Sequence, residues 1–324
     1  MANIRDIAKE AGVGIATVSR YLNDTGYVSD EVKVKIQKVI EELNYKPNAL
    51  ARAIFTKNSK TIGLMVPNIS NPFFNQMASV IEEYANEMGY NIFLCNTDDN
   101  PEKESKYLDV LQSHRVAGII VARSKCKEAY SNIDIPVISF ESHISDKIIT
   151  VSSDNYNGGK IAFDHLYQCG CRKMIHIKGP TCFEATEDRS RGFLDAAKDK
   201  NLKIDLIEFE TDFQVKMLEE NIESLNKIGE CDGIFVFNDI AAATVIKFLR
   251  KKGVRIPEEV QIMGFDNSFI CELLHPSLTT INQPIQALGK YTIELLIKLI
   301  NDEDIEIEDY LMETKLIKRE TTLS

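Results

Sequence analysis

The chain of 324 residues has no tryptophan, only five histidines and no long apolar run. A transmembrane helix needs about 18 or more consecutive apolar residues. The first residues also lack the apolar core of a secretory signal peptide. We therefore expect no contact with a membrane, and we expect the protein to act in the cytoplasm.

Cysteine and histidine are too scattered to predict a metal site or a disulfide framework. The seven cysteines are an odd number, and the close pair Cys169 and Cys171 lacks the spacing of a zinc ribbon. No two histidines have the spacing of metal ligands on a helix. We expect reduced thiols, no metal and no cofactor.

The sequence also lacks the patterns of common enzymes. It contains neither Gly-x-Gly-x-x-Gly nor a P-loop. Asp239 and Asp266 could form a carboxylate pair, but residues at strand ends are equally suited to bind ligand hydroxyls. No catalytic constellation remains, so we expect that the protein is not an enzyme.

The net charge of −11 is distributed unevenly along the chain. Residues 1–60 carry ten Lys and Arg against seven Asp and Glu, whereas the remainder carries 28 against 42. A basic N-terminal segment on an acidic body is typical of a protein that contacts nucleic-acid phosphates at one end. The length indicates two or three folding units.

Residues 3–45 have the spacing of three short helices. Gly12, which adopts positive φ readily, would separate the first two. Ser29 is a good N-cap for the third helix, followed by the acids Asp30 and Glu31. The apolar residues expected inside this unit are Ile4, Ile7, Ala8, Ala11, Val18, Leu22, Val32, Ile36, Val39, Ile40 and Leu43.

From Thr61 onward, short apolar runs alternate with amphipathic helices. The expected strands are Ile62–Val66, Ile92–Cys95, Ile119–Val121, Val137–Phe140, Met174–Ile177, Leu206–Phe209, Ile234–Phe237 and Ile262–Phe265. The expected helices include Met77–Met88, Lys103–Ser113, Gly159–Gln168, Ala241–Lys252 and Ala287–Ile300. Continuously apolar strands are buried on both faces, which favours parallel sheets. The fold class is therefore α/β: two doubly wound parallel sheets form two lobes with a ligand cleft between them.

The second helix of the N-terminal unit is suited to the DNA major groove, because its N-terminal side chains would meet base edges. Its outward residues are Ile15, Ala16, Thr17, Ser19 and Arg20. Arg20 can donate two hydrogen bonds to guanine, and Ile15 can contact a thymine methyl group. Thr17 and Ser19 are short donors for phosphates. The same spacing also fits an ordinary three-helix bundle.

Motifs in order along nearly the whole chain resemble the LacI/GalR family of repressors. They are Ile4–Val13, Ala16–Arg20, Leu43–Arg52, Thr61–Leu64, Asn71–Phe74, Ser153–Asn155, Arg189–Phe193, Asn238–Asp239, Gly264–Asn267 and Leu278–Ile281. The resemblance implies a helix-turn-helix domain in residues 1–46 and a hinge helix with linker in 47–60. It implies an effector-binding and dimerisation domain in 61–324, with one lobe from 61–154 and 284–311 and the other from 156–281 and 315–324.

For DNA, the resemblance implies base-reading roles for Ile15, Ala16 and Arg20. It implies minor-groove contacts for the hinge residues Asn48, Ala51 and Ile54, with Ile54 as an apolar wedge between base steps. So short a helix is marginal alone, and we expect it to form on DNA with two copies packed together.

The body further resembles periplasmic sugar-binding proteins, the ribose-binding one especially. Aromatic rings fit the apolar faces of a sugar, and polar side chains fit its hydroxyls. The positions that the resemblance assigns to the effector are Asn71, Phe73, Phe74, Glu141, Arg189, Phe213, Asn238, Asp266 and Gln283. Adjacent phenylalanines could equally be core residues.

The match to the ribose pattern is incomplete. Glu141 and Ser142 stand where that pattern has aspartate and arginine, which puts ribose itself in doubt. The acids Glu184, Glu187 and Asp188 disfavour an anionic effector. We expect a small neutral sugar, a pentose such as ribose, acting as inducer. A hexose, a sugar phosphate or a purine corepressor remain alternatives, and Asp154 could either hold ligand or cap the crossover between lobes.

These features together predict a transcriptional repressor that binds a pseudo-palindromic double-stranded DNA operator as a homodimer. A sugar-transport component or a sugar-processing enzyme is disfavoured. Residues 310–320 are expected to form the last strand, with no leucine-heptad helix for tetramers after it. The dimer contact is expected on the helix containing Met77, Ile81 and Tyr84, although these residues could face the core instead.

Overall fold

The computed structural model describes residues 2–23, 25–45, 59–180, 183–209 and 231–323. The chain divides into two compact units, Met1–Lys60 and Thr61–Ser324. Within the described ranges, no helix has both the length and the apolar character needed to span a bilayer. The same ranges hold no group of three His, Cys, Asp or Glu side chains arranged to bind a metal ion.

The N-terminal unit contains the three predicted helices, α1 (Ile4–Glu10), α2 (Ile15–Asn23) and α3 (Asp30–Glu42). Asn3 caps α1 and forms a reciprocal pair with Asp6, whose carboxylate accepts from the Asn3 N–H at 2.8 Å. Gly12 follows α1 with φ of 67°, the conformation expected of the turn. The expected cap at Ser29 is wrong in one respect, since its side chain makes no hydrogen bond to α3.

A small core holds these helices together. Ile7, Val18 and Ile36, one from each helix, are fully buried. The Tyr21 hydroxyl donates to Gln37 Oε1 at 2.8 Å and links α2 to α3 at the edge of this core. The outer face of α2 therefore remains available while its inner face is fixed.

The first sheet of the larger unit contains β1 (Thr61–Val66), β2 (Asn91–Asn96), β3 (Gly118–Val121), β4 (Val137–Phe140), β5 (Thr150–Ser153) and β11 (Tyr310–Met312). Their order is β2–β1–β3–β4–β5–β11, and every neighbouring pair is parallel. Helices α4 (Pro72–Glu87), α5 (Pro101–Ser113) and α10 (Ile285–Ile300) accompany this sheet. These elements form the first lobe.

The second sheet contains β6 (Met174–Lys178), β7 (Asp205–Glu208), β8 (Gly233–Val236), β9 (Gln261–Asp266), β10 (Thr279–Asn282) and β12 (Lys315–Ile317). Their order is β7–β6–β8–β9–β10–β12, and β12 alone runs antiparallel to its neighbour. Helices α6 (Asn155–Gln168), α7 (Glu184–Asp199), α8 (Asp239–Lys251) and α9 (Ile270–Leu273) complete the second lobe. The predicted fold class of two doubly wound, largely parallel sheets is confirmed.

The chain crosses between the lobes at three points, after β5, after β10 and between β11 and β12. The first two are tied where the Ser153 hydroxyl donates to Gln283 Oε1 at 2.8 Å. The first and third are tied where Asp154 N donates to Met312 O at 2.8 Å and Thr314 Oγ1 donates to Asp154 O at 3.3 Å. Asp154 also caps α6, with its carboxylate accepting from Asn157 N at 2.9 Å. Of the two roles left open for Asp154, the structure shows the cap.

The predicted strands agree with the observed ones to within one residue, but the helices begin earlier than predicted. Helix α4 starts at Pro72 and not at Met77, because Asn71 caps it and proline is favourable in the first turn. The single final strand expected over residues 310–320 is wrong: two short strands occur there, one in each sheet. Met77 and Ile81 are fully buried in the first lobe, so these two residues face the core, the alternative given for them. A dimer contact through other residues of α4 stays a prediction.

Candidate functional site

The first candidate site is the exposed face of α2. Ile15 opens the helix and is 48% exposed, a costly position for an apolar residue without a partner. Ala16 and Arg20 are exposed as well, while Thr17 and Ser19 are half-buried. These five residues lie where the sequence predicted a DNA-reading surface, and their contacts with bases remain a prediction. The hinge residues Asn48, Ala51 and Ile54 lie outside the described residues.

The second candidate site is a cavity between the two lobes, at the carboxyl ends of the strands. It encloses about 690 Å³ of space not filled by protein atoms, a volume that includes open solvent at its mouth. Its lining residues are Asn71, Phe73, Phe74, Ala122, Arg123, Ser124, Lys127, Glu141, Ser142, Phe183, Glu184, Ala185, Thr186, Arg189, Phe237, Asn238 and Asp266. Seven of the nine predicted effector residues are among them. Phe213 lies outside the described residues. Gln283 is not part of the lining but forms a hydrogen bond to the lining residue Asp266.

One wall of the cavity is aromatic. Asn71 accepts a hydrogen bond from Phe73 N at 3.0 Å, which starts α4 and places two rings at the cleft. The rings of Phe73 and Phe74 meet edge to face with centroids 5.2 Å apart, and Phe73 also packs near Phe140 at 6.3 Å. These phenylalanines are therefore both core residues and cavity lining, so the two readings of the pair are compatible.

The opposite wall is organised around the buried guanidinium of Arg189 on α7. Its Nε donates to Asn155 Oδ1 at 2.8 Å, and its Nη1 donates to Phe237 O at 2.8 Å. Nη1 lies 3.5 Å from the carboxylate of Asp266, and the guanidinium carbon sits 3.7 Å above the Phe265 ring. This many contacts fix the guanidinium plane, which is how a fork of donors becomes selective for one arrangement of hydroxyls.

Two carboxyl groups face this guanidinium, one from each lobe. Burial raises the pKa of Asp266 well above its usual range although Arg189 opposes the shift, and burial likewise raises the pKa of Glu141. Both residues adopt positive φ, 117° for Asp266 and 61° for Glu141. Such backbone conformations cost on the order of 1–3 kcal/mol each and cluster at ligand sites. Strained carboxyls beside a fixed cation are suited to accept hydrogen bonds from a polyol.

Asn238 supplies a donor for which the described part of the chain offers no partner. Its Oδ1 caps α8 by accepting from Ala241 N at 2.8 Å. Its Nδ2 is buried and makes no hydrogen bond to any residue that the structure describes. A buried amide left without a partner is costly, and a ligand oxygen in the adjoining cavity would satisfy it.

Gln283 connects the cavity wall to the crossovers. Its Nε2 donates to Asp266 Oδ1 at 2.7 Å, and its Oε1 accepts from the Ser153 hydroxyl. Ser153 N in turn donates to Glu141 at 2.6 Å, and Asn155 Nδ2 donates to the same carboxylate at 2.7 Å. With Arg189 bridging Asn155 and Asp266, these contacts close a ring of six residues that spans both lobes.

Contacts across the mouth hold the lobes together. The Glu184 carboxylate, at the start of α7, accepts hydrogen bonds from Lys127 Nζ at 2.8 Å and from the backbone N–H of His143 at 2.9 Å. Both donors belong to the first lobe. The neighbouring acids have partners too: Glu187 with Lys178 at 2.7 Å and Asp188 with Arg191 at 2.8 Å. The acidic cluster is therefore largely neutralised and is a weaker argument against an anionic ligand than the sequence suggested.

Several lining residues were not predicted. Arg123 and Ser124 follow β3, and Phe183 precedes α7, whose polar sequence was not recognised as a helix. Arg123 could have been suspected, because it lies two residues after the apolar run Ile119–Val121, where strand-end ligands occur. Phe183 gave no such signal, since it becomes lining only when the second lobe packs against the first.

Comparison with known proteins agrees with this architecture. Residues 3–48 match the family model of bacterial regulatory proteins, lacI family, and residues 163–322 match that of a periplasmic binding protein-like domain. A ribose operon repressor of Halalkalibacterium halodurans is 40% identical over 325 aligned residues, which cover 99% of this chain and 97% of that protein. This chain belongs to the LacI family. The resemblance inferred from the sequence motifs is thereby confirmed.

Two solved LacI-type structures carry sugars. A periplasmic binding protein/LacI transcriptional regulator from Alkaliphilus metalliredigens, in complex with D-xylulofuranose, is 72% identical with a TM-score of 0.80. The aligned region covers 82% of this chain and 100% of the chain in that structure. A LacI family regulator from Enterococcus faecium with bound ribose is 29% identical with a TM-score of 0.71. The aligned region covers 81% of this chain and 98% of the chain in that structure.

Proposed function

We propose that this LacI-family chain is a transcriptional repressor whose affinity for a pseudo-palindromic DNA operator is lowered by a pentose. The observation that carries the proposal is one cavity with a phenylalanine wall facing Arg189, Asp266 and Asn238, in a chain that also has a helix-turn-helix unit. A cavity with largely apolar walls and a few charge-balanced polar groups suits a neutral sugar. The repressor is not an enzyme, and it acts in the cytoplasm, where its operator is.

The effector is a pentose in its furanose form, with D-xylulose and D-ribose as the two candidates. The 72% identical relative holds D-xylulofuranose, and ribose occupies the Enterococcus faecium regulator. Asn71, Glu141, Arg189, Asn238 and Asp266 bind its hydroxyls. Phe73 and Phe74 cover its apolar face. Gln283 acts from behind by holding Asp266, and Phe213 belongs to the same site.

The DNA-binding form is a homodimer. Ile15, Ala16 and Arg20 of α2 read bases in the major groove, and Thr17 and Ser19 contact phosphates. Asn48, Ala51 and Ile54 contact the minor groove at the operator centre. A two-fold operator needs two reading helices about one helical turn apart, which one chain cannot supply. Residues 1–46 form the reading domain, 47–60 the hinge, and 61–324 the effector domain.

The test combines DNA binding and sugar binding on the full chain. A labelled operator, selected from random duplex DNA with the protein, is titrated at 50 and 200 mM salt. If roughly six phosphates are contacted per dimer, affinity falls about 10³-fold between these salts. Addition of D-xylulose or D-ribose is expected to release the operator, while glucose and guanine do not. The effector assignment would be contradicted if a purine released the operator, or if neither pentose did.

A further inference from the structure

Arg123 is a second arginine at the effector cavity, and it comes from the lobe opposite to Arg189. It lies two residues beyond the end of β3, at the carboxyl edge of the first sheet. Although charged, it is only 9% exposed and lines the same cavity as Arg189 and Asp266. Burying an arginine is costly, so a buried guanidinium facing a cavity calls for a reason beyond surface solubility.

The position of the Arg123 guanidinium is fixed by three groups. Its Nε lies 3.2 Å from Asp99 Oδ1, in the loop after β2. Its carbon lies 3.7 Å from the centroid of the Phe183 ring in the second lobe and 5.5 Å from that of Phe74 in the first. Stacking on an aromatic ring uses the face of the guanidinium and leaves its N–H groups directed sideways, within its own plane. Arg123 therefore spans the cleft.

The two arginines of the cavity are close enough to affect each other. Burial lowers the pKa of Arg189, and the positive charge of Arg123 contributes to the same shift. Each arginine has its own acid, Asp99 for Arg123 and Asp266 for Arg189. Two charge-balanced arginines thus line the cavity, one from each lobe, which suits a neutral ligand with hydroxyls on both edges better than a single anionic group.

We infer that Arg123 is a specificity-determining residue of the effector site, donating to a hydroxyl of the pentose from the side opposite to Arg189. Because it also stacks on Phe183 of the other lobe, it makes these hydrogen bonds only when the cleft is closed. The inference rests on the proposed function, since it names a further ligand contact within that site.

The experiment measures binding to the full chain by calorimetry, with D-xylulose and D-ribose and with two probes lacking one hydroxyl, 1-deoxy-D-xylulose and 2-deoxy-D-ribose. Arg123→Met keeps much of the stacked apolar stem but removes the donors. We expect it to weaken the better pentose about 10- to 100-fold, the loss of a charge-assisted hydrogen bond. A probe that lacks the hydroxyl bound by Arg123 should lose no further affinity in the variant.

Three comparisons distinguish this role from a structural one. Arg172→Met removes a guanidinium stacked 3.9 Å from Tyr167, away from the cleft, and should leave every affinity unchanged. Arg123→Lys keeps the charge and its attraction to Asp99, so the fold persists, yet the fork is lost and discrimination between sugar and deoxy probes should fall. Operator binding without sugar reports folding of every variant.

The outcomes separate the inference from the function on which it rests. If both Arg123 variants bind each pentose and each deoxy probe within twofold of wild type, Arg123 makes no ligand contact. An equal loss on every sugar and probe that is accompanied by weaker operator binding without sugar would also overturn the inference, because it would indicate a structural role. Failure of the wild type to bind any pentose would instead refute the sugar assignment itself.

Discussion

Replacement of Arg189 by methionine tests whether one cation holds the cavity together. Its guanidinium donates to Asn155 and Phe237 O and lies 3.5 Å from Asp266, at 6% exposure. Methionine fills similar volume but leaves the carboxyl groups of Asp266 and Glu141 buried without their cation. Removing one partner of a buried pair costs about 3–5 kcal/mol. For a unit of this size we expect the melting temperature to fall by on the order of 10 °C.

The destabilisation of Arg189→Met should depend on pH with a definite sign. An acid whose pKa is raised in the folded state adds stability at low pH, and that stability is lost as pH rises through the folded pKa. Burial already raises the pKa of Asp266 and Glu141, and Arg189 is the group that opposes both shifts. Without Arg189 both pKa values rise further. The difference in the free energy of unfolding between variant and wild type, called the gap below, therefore narrows as pH falls. Each unit of added pKa shift corresponds to about 1.4 kcal/mol.

Urea denaturation of both proteins at pH 7.5, 6.5 and 5.5 measures this gap, and taking the difference cancels titrations common to both. Operator binding at pH 7.5 should persist in the variant, because α2 and its core do not involve Arg189, while release by pentose should vanish. A gap that stays constant across this range would refute the reasoning, since the carboxyls would not be titrating. Unchanged stability at pH 7.5 would refute the buried ion pair itself.

Three further changes follow from the packing and charges. A Cβ on Gly192 would lie 1.9 Å from Tyr156 O, so Gly192→Ala should force α6 and α7 apart, cost about 3 kcal/mol or more in urea denaturation and weaken pentose binding. Gly14→Ala, where the nearest atom is 3.9 Å away, is the control for stability. Burial lowers the pKa of His176 to about 4. Because the unfolded chain binds the proton first as pH falls, the contribution of His176 to the free energy of unfolding is full above pH 6.5 and falls by about 2 kcal/mol by pH 5. His176→Phe should reduce this acid sensitivity in melting experiments. Arg20→Ala should cost about 1–3 kcal/mol at one base pair per half-site, and equal loss on random DNA would assign Arg20 to phosphate.

The strands of the core were predictable because they are continuous apolar runs. Ile119–Val121 and Val137–Phe140 could be read directly, since burial on both faces leaves no polar position to confuse the pattern. The strands that were missed, Thr150–Ser153 and Thr279–Asn282, are rich in hydroxyl residues. They lead into the crossovers, where polar side chains bond across lobes, and the apolar signal is lost there.

Elements near the cavity were the least predictable. Helix Glu184–Asp199 carries Arg189 but has few apolar residues, because much of its inner face packs through small residues such as Gly192 against the neighbouring helix. The predicted start of α4 at Met77 missed the turn that presents Phe73, since Pro72 and Asn71 look like loop residues until their capping role is considered. The position of Arg123 after a strand end is a signal in the sequence, but its stacking on Phe183 arises only when the two lobes pack together.

The ring that joins the cavity to the crossovers gives a physical route from the cavity to two of the crossovers between the lobes. Asp266 and Glu141 line the cavity, yet each also accepts a hydrogen bond from a residue on or beside a crossover, Gln283 and Ser153 respectively. A ligand hydroxyl that donates to either carboxyl competes with these bonds or strengthens them. Since Ser153 also donates to Gln283, a change at one crossover reaches the next directly. A ligand shifts a conformational equilibrium only by the difference in its affinity for two states. Glu184 and Lys127 belong to different lobes, so their contact at 2.8 Å is lost in any state in which the lobes separate, and such a contact contributes to that difference.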